Sequence, residues 1–137
     1  MKLARRPAAA AAAALATTLL IAAPAAAHHS FAMFDHVNRI TLSGVVEQFD
    51  WSNPHVFINL AVPDGKGGSR HYAVECASPN VLTRAGWSFK SIKTGDRVTL
   101  LINPLKSGEP GGMLETATLA DGRTLTDSNP PGGVFAR

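Results

Sequence analysis

The sequence predicts a mainly β protein: a small five- to six-stranded OB-like barrel with one short helix between its third and fourth strands. Three observations predict it. Several segments alternate apolar and other residues with period two, the pattern of half-buried strands. Clusters of Gly, Pro, Asn and Asp separate these segments at hairpin spacing. One short segment alone carries helix start and stop signals, and it falls between the third and fourth strands. A half-open barrel, or another small α+β roll, would use nearly the same string of elements.

The chain is 137 residues long with a formal charge of +3. Its first 27 residues carry Lys2, Arg5 and Arg6 and no acid. Without them the remaining 110 residues hold 10 basic and 10 acidic side chains, so the basic balance belongs to the leader alone. Residues 1–27 read as a secretion signal peptide. A positive n-region precedes the apolar and small-residue run Ala8 to Ile21, which falls short of the roughly 20 residues needed to span a bilayer. Pro24 breaks the run, and Ala25-Ala26-Ala27 supplies a small-x-small cleavage site after Ala27. Arg5-Arg6 lacks the flanking residues of a twin-arginine signal, so general secretion into the periplasm is expected, with no membrane span after cleavage. A retained anchor is the alternative.

Residues 28–39 form an N-terminal arm, 40–126 the barrel domain and 127–137 a flexible C-terminal tail. The first strand runs from Ile40 to Phe49, with Gly44 where a bulge or sharp bend is tolerated. The second is His55 to Val62. Its Val56, Ile58, Leu60 and Val62 form an apolar stripe, while His55, Phe57, Asn59 and Ala61 face the other way. Pro63-Asp64-Gly65-Lys66-Gly67 turns the chain into the third strand, Arg70 to Ala77. Tyr72, Val74 and Cys76 share one face there, and Cys76 reads as a buried small hydrophobe, a reactive or metal-binding thiol being the minority reading. Ser78-Pro79-Asn80 starts a helix carrying Val81, Leu82 and Ala85 and ended by Gly86. Trp87 and Phe89 are expected to pack it onto the sheet. Thr94-Gly95-Asp96 leads to the fourth strand, Arg97 to Asn103. Met113 to Ala120 makes the fifth, Asp121-Gly122 a tight turn, and Arg123 to Thr126 a short return.

Oligonucleotide binding is the common function of such barrels, but single-strand binders need a basic groove with aromatic platforms. A neutral exported domain offering only Phe57 and Trp51 does not fit, so no nucleic-acid partner is expected. The histidines carry the sharper reading. His55 and Asn59 share one face of the second strand, and His71 and Glu75 the same face of the third. A register in which Asn59 opposes His71 places His55 opposite Glu75, and a shift of two residues would separate the cluster.

Cleavage after Ala27 makes His28 the first residue, whose α-amine and ring Nδ1 form a chelating pair. One further imidazole would complete a T-shaped nitrogen site, a histidine brace, suited to copper. Cleavage after Ala26 would instead place a histidine third from the amine, another square-planar copper or nickel chelator. The candidate metal ligands are His28, His29 and His55, with His36 and His71 behind them. Glu75 and His71 are candidates for a supporting shell. Trp51, Asn53, His55, Phe57 and Arg84 form an alternative face for a small ligand or protein partner. Against these stand plainer roles: a solvated His-His pair, an Asn-Pro-His turn bonding its own backbone, and an Arg84 that is solvated or paired with Glu75.

An enzyme would need a nucleophile or an acid and base, and only His55 with Glu75 qualifies, as a general base. A Gly-rich phosphate loop, nucleophile elbow, CxxC and HExxH are all missing from the sequence. Binding therefore outranks catalysis.

The series His28-His29-Ser30-Phe31, Phe34-Asp35, Gly44-Val45-Val46, Trp51-Ser52-Asn53-Pro54-His55, Glu75, Ser78-Pro79-Asn80, Arg84-Ala85-Gly86-Trp87 and Gly95-Asp96-Arg97-Val98 resembles a family of small secreted bacterial proteins, domain of unknown function six-one-five-two. The resemblance spans the chain after the leader and implies a periplasmic β-rich domain. It implies no activity, cofactor or catalytic residue.

Overall fold

The computed structural model describes residues 31–127. The expected signal peptide, His28, His29 and all of the expected tail except Asp127 lie outside the described residues. A 3-10 turn, Phe31–Met33, is followed by β1 (Ile40–Asp50), β2 (Phe57–Pro63), β3 (Ser69–Glu75), α1 (Pro79–Arg84), β4 (Arg97–Pro104), β5 (Gly111–Thr118) and β6 (Thr124–Thr126). Antiparallel pairing links β3, β2, β1, β4, β5 and β6 in that order, and a parallel pairing of β3 with β5 closes the first five into a barrel. β6 is an extra strand on β5. This is the five-stranded barrel with a helix between strands three and four that the sequence predicts.

The alternation works as expected where it is regular. Val56, Ile58 and Leu60 of the second apolar stripe are fully buried, as are Leu100 and Ile102 of β4. Leu82 of α1 and Trp87 just after it join the same core, their apolar surface removed from water together with the strands' inner faces. Phe89 departs from expectation. It is exposed in the turn after Trp87, where strand parity no longer governs direction, and Lys90 Nζ lies 5.3 Å from its ring centre.

β1 is bent by two separate devices. The bulge lies at Glu47, between the pairs Val46 with Leu60 and Gln48 with Asn59. Gly44 does not bulge but permits close approach: a Cβ there would stand 2.4 Å from the Ala61 carbonyl oxygen. A second bulge in β5 leaves Glu115 outside the pairing with β4, so the core residues Leu114 and Ala117 fall three apart.

The arm is anchored on the end of β4. Phe34 is buried and bridges Leu105. Asp35 N–H donates to the Pro104 carbonyl at 2.8 Å, and buried Asn103 donates its Nδ2–H to the Asp35 carbonyl at 3.2 Å. These bonds hold Phe31, His36 and Arg39 beside the outer surface of β5.

Candidate functional site

His55 lies two residues before β2 begins, where the ladder to β3 is continued by Cys76 N–H donating to the Val56 carbonyl at 2.8 Å. The β2–β3 register pairs Phe57 with Glu75 and Ala61 with His71. The expected register, with Asn59 opposite His71, is therefore corrected by two residues. A slip of two preserves every side chain's face but changes its partner. His55 still reaches Glu75, now as a diagonal neighbour: its Nδ1 contacts Glu75 Oε1. His71 is carried away and pairs instead with Glu47 at the β1 bulge, Nδ1 to Oε2 at 2.8 Å. That pair lines a different, shallow groove of about 380 Å³.

His55 and Glu75 open onto a cleft of about 480 Å³ beneath the arm. Phe31, Ala77, Met113 and Leu114 supply apolar lining. Arg39 and Glu115, also lining it, are joined by Nε to Oε1 at 2.7 Å. The parallel closure sets Met113 beside Glu75, and β6 brings Thr126 and then Asp127 to the same place.

Asp127 is the group that the sequence reading did not single out. It is only 7% exposed, and its Oδ1 accepts the Ala77 N–H at 2.7 Å. Burial pushes its pKa up to about 6, and the Glu75 charge adds to the rise. The Ala77 hydrogen bond and His55 oppose it. An acid that follows a short return strand on an Asp-Gly turn looks like a surface residue in sequence. Only an expectation that β6 pairs back toward β3 could have marked it.

Cys76 lines the cleft from the core side. It is 3% exposed, and burial drives its thiol pKa well above the ordinary value, so it remains a protonated, inert thiol. Trp51, Asn53 and Arg84 do not line the cleft. Trp51 packs edge-on against Phe49, with ring centres 5.7 Å apart, and Arg84 sits exposed at the end of α1 rather than pairing with Glu75. His36 lines the cleft with its Nε2 2.8 Å from the Phe31 carbonyl. Among the described residues no group of three or more His, Cys, Asp or Glu side chains is disposed to hold a metal ion, and no helix is long and apolar enough to cross a membrane. The candidate ligands His28 and His29 lie outside that set.

A comparison with curated proteins finds no match. The signature of a family of unknown function (DUF6152) matches residues 15–115, more than half of the chain and including β1 to β4, His55 and Glu75. The chain therefore belongs to this family of unknown function.

Proposed function

We propose that the protein is an exported, non-catalytic binding domain whose site is the cleft beneath the arm. One observation carries the reading. His55, Glu75 and Asp127 converge in a cleft that Phe31, Ala77, Met113 and Leu114 also line with apolar side chains, a combination found in small-molecule sites, and its volume of about 480 Å³ suits one. Export rests on the leader, with its positive start, short apolar run and small-residue cleavage site. Catalysis is disfavoured because, among the described residues, the one thiol is Cys76, which is buried and protonated.

The test is a fragment screen by methyl NMR on the metal-stripped exported protein. Fragments that bind should shift the Met113 methyl saturably and leave the Met33 methyl, which does not line the cleft, in place. A library in which no compound moves Met113 would end the proposal.

A second reading, copper binding, is favoured by one contact. Glu75 holds His55 at Nδ1, and a carboxylate on one ring nitrogen directs the other, Nε2, to a metal and strengthens it as a ligand. The further nitrogen donors would be His28 and His29, with a freed amine at residue 28. Intact mass fixes the first residue of the exported protein, and copper titration follows. Affinity at least tenfold weaker in His55→Ala is expected. Equal affinity in that variant would remove His55 from the ligand set.

A further inference from the structure

Among the described residues, the charges inside the cleft do not balance. Arg39 is already engaged by Glu115. Glu75 faces His55, and Asp127 faces the Ala77 N–H. Among the described residues no lysine or arginine lies within ion-pair distance of Glu75 or Asp127. Two carboxylates thus lie near one imidazole, Glu75 in contact with it and Asp127 within its electrostatic reach, and they outweigh it even when His55 is protonated.

Asp127 adds a directional observation. The residue is more than nine-tenths buried, yet no described group donates to its Oδ2. No fully buried side-chain oxygen in the described residues lacks a hydrogen-bond partner, so Oδ2 is not sealed in, and Asp127 is one of the residues that line the cleft. A carboxylate held in apolar surroundings without a countercharge is costly, and a cation supplied from outside relieves that cost. A bare metal ion would want three or more converging ligands, which the described residues do not provide. Apolar walls at Phe31 and Met113 suit a cation that carries its own apolar body.

We infer that the cleft takes an organic ammonium or guanidinium, its charged head between Asp127 and Glu75 and its apolar body against Met113 and Phe31. The inference rests on the cleft being the binding site and adds the chemistry of its occupant. It needs no metal.

The test uses metal-stripped exported protein at pH 7.5 and three probes of one shape and different charge: benzylammonium, benzyl alcohol and benzoate. Benzylammonium should shift the Met113 methyl saturably, at least tenfold more tightly than either control. In Asp127→Asn its affinity should fall to that of benzyl alcohol, with the alcohol's own affinity unchanged, and Glu75→Gln should weaken it severalfold. Benzyl alcohol binding as tightly as benzylammonium would overturn the cation inference and leave the cleft reading standing. So would benzoate binding more tightly. Failure of all three probes to move Met113 would overturn both. If Asp127→Asn does not fold, the three-probe comparison on the unaltered protein decides alone.

Discussion

Asp127 is the residue whose surroundings most distort its chemistry. Its folded-state pKa of about 6 lies above the ordinary carboxylate value, so the native protein holds that proton more tightly than the unfolded chain does. The stability this residue contributes is complete below about pH 4 and is lost as pH rises through about 6. In metal-free protein, urea unfolding should show a loss from pH 5 to pH 8 that Asp127→Asn lacks. The wild-type loss in excess of the variant's should be on the order of 1 kcal/mol. The asparagine carboxamide oxygen can still accept from Ala77 N–H, so at pH 8 the variant should be the more stable protein. Parallel pH profiles for the two would show that Asp127 titrates normally. The His71–Glu47 pair is a contrast: its side chains are 67% and 42% exposed, water screens them, and His71→Ala should change unfolding free energy by no more than about 0.5 kcal/mol.

At the scale of elements, the close approaches of β1 and β5 decide the shape of the barrel. A Cβ at Gly44 would meet the Ala61 carbonyl oxygen at 2.4 Å, and one at Gly112 the Asn103 carbonyl oxygen at 2.5 Å. Both obstacles are backbone and cannot swing aside, so Gly44→Ala and Gly112→Ala should each cost about 2 kcal/mol or more in urea unfolding. A loss below about 0.5 kcal/mol at either position would mean that the strands separate easily there. The strands and helix themselves were legible, because Val56, Ile58 and Leu60 or Val98, Leu100 and Ile102 repeat with period two, and Pro79 and Gly86 bracket α1. The bulges were not. A bulge is one extra residue, Glu47 or Glu115, whose identity carries no signal until the partner strand is known.

Across the whole molecule, Trp87 ties the helical side of the domain to the cleft. It is 2% exposed, packs against Phe49 with ring centres 6.3 Å apart, and donates its indole N–H to the Thr126 carbonyl at 2.7 Å, next to Asp127. Trp87→Ala should cost about 3–5 kcal/mol, and calorimetry should show the domain melting well below the wild type. Trp87→Phe keeps much of the packing but releases β6. It should therefore weaken benzylammonium binding as well as stability, whereas unchanged binding would show that β6 holds Asp127 without the tryptophan. By itself the sequence determined the even charge balance of residues 28–137, the barrel elements and the face on which His55, Glu75 and His71 sit, because these follow from local composition and a period of two. The tertiary structure alone decided which of those residues meet. Side-chain parity is blind to a slip of two residues, so only the assembled ladder could send His71 to Glu47 and leave His55 with Glu75. Only barrel closure, joining β3 to β5 and returning β6 across a separation of 50 residues, could set Asp127 on Ala77 and Met113 beside Glu75.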